Sequence, residues 1–239
     1  MVELEFEDGL AVVTIDRPHA RNAIDLGTMD ELGKALDAAE GAQALVVTGG
    51  GEKAFVSGGD LKELARLRTE QEASGMALRM RGLCDRIAAF PGPVLAAVNG
   101  HALGGGAEIA VAADIRVAAD DIRIGFNQTK LAIVPAWGGA ERLARLVGPG
   151  RALLLAGTGR ILDAAAAEQV GLLDLVLPRG DFNDGWREIA RSLANRQARE
   201  IKALANGARS TQEAAAAFAR LWVSEEHWEA AEKVMSRGK

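Results

Sequence analysis

Residues Asn99 to Asp114 read NGHALGGGAEIAVAAD, and the order of residue types in this stretch decides the fold class. Just upstream, Pro93 to Val98 is a continuous apolar run of strand length. It leads into Gly104, Gly105 and Gly106, then into small apolar residues interrupted by one acid, Glu108. A buried strand, a glycine turn and an apolar helix in succession are the repeating unit of an α/β architecture. Glycines at a helix mouth let another group approach the backbone and leave N–H donors pointing outward. The helix dipole adds partial positive charge there, which suits an anion or a developing oxyanion. With Glu108 beside such donors to move a proton, the stretch has the layout of a site for enolate chemistry.

The pattern repeats outward along the chain. Val2 to Glu7 and Leu10 to Asp16 alternate around Asp8-Gly9, which predicts a hairpin. Leu26 to Ala39 has helical spacing, and Ala44 to Thr48 is a buried strand closed by glycines. Phe55 to Gly59 reads as a strand opening a helix from Asp60. Ala113 to Ala118 and Ile122 to Phe126 read as short strands, and Leu172 to Leu177 as the last one, stopped by Pro178. From Asp181 onward the strand pattern ends. Trp186 to Lys202, Thr211 to Trp222 and Glu225 to Met235 read as helices whose tryptophans either pack on the core or form a subunit interface. The expected division is therefore a core over residues 1–180 and a helical region over 181–239.

Composition narrows the function classes. The chain has 239 residues, nearly half of them hydrophobic, enough for a large core. Its net charge of −5 offers no general attraction to nucleic acid or anionic membranes. No apolar run has the roughly 20 residues of a membrane span, and the N-terminus is acidic rather than signal-like. Tyrosine is absent and Cys84 stands alone, so a catalytic tyrosine and an intramolecular disulfide are excluded and a cytoplasmic setting is expected. Metal-ligand spacing, a nucleophile elbow and the phosphate-binding GxxxxGK[ST] loop are all missing, so no metal site is expected.

Ser57-Gly58-Gly59-Asp60-Leu61-Lys62 is a second glycine loop between strand and helix. Asp60 reads either as an N-cap or as part of a site. In the functional reading the Gly59 and Gly105 N–H groups form one oxyanion hole, and removing one such donor costs on the order of 3 kcal/mol of barrier. Glu108 lies on a helix apolar nearly all round, so burial pushes its carboxyl toward a raised pKa while the dipole opposes that. His101 reads as a local hydrogen-bonding residue.

At these residues the chain resembles the crotonase superfamily, the enoyl-CoA hydratase/isomerase family. The resemblance rests on IDRPHARNAID (Ile15 to Asp25), KAFVSGGDLKEL (Lys53 to Leu64), NGHALGGGAE (Asn99 to Glu108) and IVPAWGGAERL (Ile133 to Leu143). It implies a spiral of ββα units followed by a C-terminal helical trimerisation segment, and a homotrimer or homohexamer. It implies that Gly59 and Gly105 hold an acyl-CoA thioester oxygen. Ser57, Gly58, Asp60, Leu61, Lys62 and Gly104 are implied around CoA, with Arg17 and Arg21 near its phosphates. Coenzyme A would be the substrate carrier, and no cofactor is implied. Glu108 matches the first of the family's two water-activating glutamates. The second position, counted back from Pro135, is Gln128, which can position water but cannot exchange a proton. Nearby Lys130 reads as a solvated lysine. The resemblance thus implies an enoyl-CoA hydratase or isomerase. Because IVPAWGG is similar to ethylmalonyl-CoA decarboxylase relatives, decarboxylation of a malonyl-CoA-type thioester is the alternative. A non-catalytic acyl-CoA-binding member is the third reading. Trp137 either shapes the acyl pocket or packs the core.

Overall fold

The computed structural model describes residues 1–237. Its strands are β1 (Val2–Glu7), β2 (Leu10–Ile15), β3 (Ala44–Gly49), β4 (Ala54–Val56), β5 (Val94–Val98), β6 (His101–Leu103), β7 (Ile115–Ala119), β8 (Arg123–Gly125), β9 (Ile161–Asp163) and β10 (Leu175–Leu177). They form a six-stranded sheet in the order β1-β2-β3-β5-β7-β10 and a four-stranded sheet in the order β4-β6-β8-β9. The hairpin β1–β2 is antiparallel and turns at Asp8 and Gly9, both at positive φ. The rest of the large sheet is parallel, and its central strands β3 and β5 are buried at every residue.

Successive strand pairs explain the architecture. In β3/β4, β5/β6 and β7/β8 the first strand joins the large sheet and the second the small sheet before a helix returns the chain, whereas β9 and β10 are split by the helix Ala164–Gln169. This is the expected α/β spiral of ββα units. It also revises the reading of the opening stretch. The apolar run Val94–Val98 does not enter the glycines directly; the chain turns at Asn99-Gly100 and adds β6 to the small sheet first. A Cβ on Gly100 would lie 2.4 Å from the Ala54 nitrogen, so the turn needs glycine to pass β4. Because β4 and β6 run parallel, the loops that follow them, Ser57–Gly59 and Gly104–Gly106, leave the same end of the small sheet.

Several elements are shorter or broken relative to expectation. The strand β4 ends at Val56, with Gly59 making only an isolated parallel bridge to Ile24, and the last strand begins at Leu175 rather than Leu172. The helix expected over Trp186 to Lys202 is two helices, Phe182–Leu193 and Arg196–Ala205, because Ala194 leaves helical geometry at ψ 64°. The chain forms two compact units that divide at Asn195. In the first, Phe182, Trp186 and Ala190 join the core, so that helix belongs with the sheets although its composition resembles the tail. The second unit contains the helices Arg196–Ala205, Thr211–Trp222 and Glu225–Arg237. Trp222 there stacks with Phe218, His227 and Trp228, and the side chains of Phe218, Trp222 and Trp228 remain exposed. No helix among the described residues is long and apolar enough to cross a membrane.

Candidate active site

Two glycine loops and one glutamate come together at the end of the small sheet. A Cβ on Gly58 would lie 3.3 Å from the Gly105 nitrogen, so the loop after β4 touches the loop after β6. Neither the Gly59 nor the Gly105 N–H has an acceptor among the described residues. A Cβ on Gly105 would fall 2.0 Å from Cζ3 of Trp137, and one on Gly59 would fall 3.9 Å from Trp137 Cζ2. The buried indole therefore lies across both glycines while also belonging to the core. Of the two roles open for Trp137 in the sequence, its place in the core is the one these contacts describe.

Glu108 occupies the helix Gly105–Ala110, every residue of which is buried. Its Oε1 accepts the backbone N–H of Trp137 at 2.8 Å and of Gly139 at 3.0 Å. Its Oε2 accepts Nε2–H of Gln128 at 2.8 Å. A Cβ on Gly139 would lie 2.3 Å from the Glu108 Cγ, so the carboxylate arm lies directly on the backbone of the Trp137–Gly139 turn. Burial raises the pKa of Glu108 above the ordinary glutamate range, and the Gly139, Trp137, Gln128 and Ala136 donors oppose that rise. The outcome is a carboxylate poised nearer neutrality but fixed in direction. Gln128 is itself buried, and its Oε1 accepts no hydrogen bond from any described residue.

The remaining expected residues divide into two groups. Arg17 lies among acids. Its guanidinium pairs with Asp25 at 3.0 Å and Asp60 at 3.2 Å, so its charge is spent inside the loop. Asp60 also accepts the Glu63 N–H at 3.5 Å as the N-cap of the helix Leu61–Leu64. Leu61 and Lys62 are exposed on that helix, and Pro135 is half-buried. Arg21 and Ser57 line a cavity of about 560 Å³ with Lys53, His101 and Arg179. His101 accepts the Arg123 N–H through Nδ1, in keeping with a local role, and Lys130 is exposed. Among the described residues no group of three or more His, Cys, Asp or Glu side chains is arranged to hold a metal ion.

Residues 5–232 match the model of the enoyl-CoA hydratase/isomerase family. The chain belongs to that family. This enoyl-CoA hydratase/isomerase family member is 38% identical over 197 residues to the short-chain-enoyl-CoA hydratase of Clostridium acetobutylicum, covering 81% of this chain and 75% of the relative. It is 38% identical over 190 residues to the crotonyl-CoA hydratase of Syntrophomonas wolfei, covering 78% of this chain and 73% of the relative. The crystal structure of enoyl-CoA hydratase from Bacillus anthracis superposes with a TM-score of 0.88 at 31% identity, over 99% of this chain and 96% of that one.

Sequence reasoning about the family member missed the residues that hold the Trp137–Gly139 turn. Arg142 donates Nη1–H to the Trp137 carbonyl at 3.1 Å and pairs through Nη2 with Asp85. Asp85 lies on the helix Glu70–Ala88, a long way from Arg142 in sequence. No local signal links them; only ion pairs between the two helices do.

Proposed function

We propose that the chain moves a proton at the α-carbon of enoyl-CoA thioesters, hydrating the double bond or shifting it. Glu108 is the acid/base in this reading, and the Gly59 and Gly105 N–H groups hold the thioester oxygen. The observation that carries it is the position of Glu108, a buried carboxylate held by three donors on a helix that begins at an unengaged N–H. A raised but still ionisable carboxyl suits proton transfer near neutral pH.

In hydration, Glu108 takes a proton from water as the oxygen adds to C3. The electron pair moves through C2 to the thioester oxygen, where two N–H donors stabilise it. The protonated Glu108 then delivers a proton to C2. Gln128 holds Oε2 of Glu108 and adds no second proton carrier, so Glu108 makes both proton transfers. In the double-bond shift, the same carboxylate takes a proton from C2 and returns it at C4.

Ser57, Gly58, Asp60, Leu61, Lys62 and Gly104 form the CoA-binding side of this reading, with Arg21 rather than Arg17 available to a phosphate. Coenzyme A enters as the carrier of the substrate. The exposed aromatics of the second unit support assembly as a homotrimer or homohexamer. Turnover of crotonyl-CoA and a 3-enoyl-CoA, set against methylmalonyl-CoA and ethylmalonyl-CoA, tests the reading. Hydration or isomerisation is expected. Release of CO2 without either activity, or thioester binding with no turnover, overturns it.

A further inference from the structure

The peptide between Trp137 and Gly138 lies between the two N–H groups that hold Glu108. The Trp137 N–H comes before it and the Gly139 N–H after it, and both converge on Oε1. Gly138 sits at φ 88°, the left-handed region, where glycine also has other conformations within reach. The Gly139 N–H belongs to the next peptide, which Gly138 joins to this one, so rotation about the Gly138 backbone angles would turn that N–H away from the carboxylate. The Trp137 carbonyl belongs to the first of these peptides, and Arg142 Nη1–H holds it at 3.1 Å. The Arg142 side chain is only 11% exposed and is anchored by Asp85. A Cβ on Gly138 would lie 2.4 Å from Arg142 Nη1 and 2.9 Å from Arg81 Nε, so the guanidinium groups pack directly on the turn.

We infer that Arg142, docked on Asp85, is a positioning residue that pins the Trp137–Gly138 peptide and thereby aims the Glu108 carboxylate. The inference rests on Glu108 being the proton carrier. Arg142 acts through the backbone and touches neither Glu108 nor the reacting atoms. Its partners form one network across two helices. Arg81 and Asp85 come from Glu70–Ala88, Glu141 and Arg142 from Gly139–Val147, and Arg81 bridges Asp85 and Glu141. Cys84, on the same face, has its thiol pushed up to about 12 by burial and stays neutral across the assay range. Gln128 is the remaining polar neighbour and does not titrate.

The test compares Arg142→Met, Arg142→Lys and Asp85→Asn with Glu108→Gln, using crotonyl-CoA hydration and the pH profile of kcat/KM. Arg142→Met is expected to lower kcat ~10-fold or more with KM within ~2-fold, since misaimed catalytic groups cost turnover rather than binding. Its acidic limb moves to higher pH, because Glu108 loses an ordered N–H donor and its buried charge is less well compensated. Arg142→Lys, which keeps one donor, recovers part of kcat. A folded Arg142→Met protein with unchanged kcat and an unmoved limb overturns the inference. If Arg142→Met does not fold, Asp85→Asn decides, since Asp85 is half exposed and tolerates the change. A smaller fall in kcat with the same upward limb displacement supports the inference, and an unmoved limb overturns it. Normal turnover in Glu108→Gln would instead sink the underlying role of Glu108, whatever the Arg142 variants do.

Discussion

Gln128 donates Nε2–H to Oε2 of Glu108 at 2.8 Å, so a carboxamide stands against the carboxylate where a second acid would share a proton with it. The carboxamide favours the ionised form of Glu108 and never titrates. Replacing it with an acid changes both properties. In Gln128→Glu two carboxyls face each other, and the pair holds one proton near neutral pH. The kcat/KM profile for hydration is expected to gain a basic limb as that proton is lost, and the rate to rise about 10-fold or more from the added acid. A profile without the new limb, at an unchanged rate, would speak against the Glu108–Gln128 geometry.

Burial of Glu108 has a signed consequence for stability. Its folded pKa is raised, so the folded state holds the proton to higher pH than the unfolded chain does. Stability then falls as pH rises from the unfolded glutamate pKa through the raised folded value. Glu108→Gln removes that slope while its side-chain oxygen can still accept the Trp137 and Gly139 N–H groups. Urea midpoints across pH should therefore show the variant gaining on the parent as pH rises from about 4 toward 7. Parallel curves over that range would contradict the burial of a costly charge.

Trp137 belongs to the core and lies over Gly105 and Gly59, so its truncation tests packing and the proposed acyl site together. Trp137→Ala removes a buried indole and should cost about 3–5 kcal/mol in denaturant unfolding. It also opens space over Gly105 and Gly59, so kcat/KM for an α-branched or longer enoyl thioester should rise relative to crotonyl-CoA. An unchanged selectivity ratio at reduced stability would leave the indole with a packing role alone.

The repeating strand–glycine–helix pattern was legible because each ββα unit carries its own apolar periodicity and its own glycine turn. Glu108 and Gln128 could be placed as partners from motif order, though they are separated along the chain. The three-residue strand β6 was hidden, because its pairing depends on β4 and not on local propensity. The ion pairs of Arg17 with Asp25 and Asp60 were not legible, since the sequence does not show which loop acids an arginine meets. The Asp85–Arg142–Trp137 link left no mark in the sequence. It is made by side chains of two helices far apart in sequence, and charged residues on helices ordinarily face water.

The central claim is that Glu108 carries the proton. Steady-state kinetics of Glu108→Gln on crotonyl-CoA hydration and on a 3-enoyl-CoA double-bond shift test it most directly. The variant keeps the volume and hydrogen-bond acceptor of the side chain and removes only its ability to exchange a proton. A fall in kcat of at least ~100-fold with KM little changed is the expected result. Turnover near that of the parent protein in either reaction would contradict it.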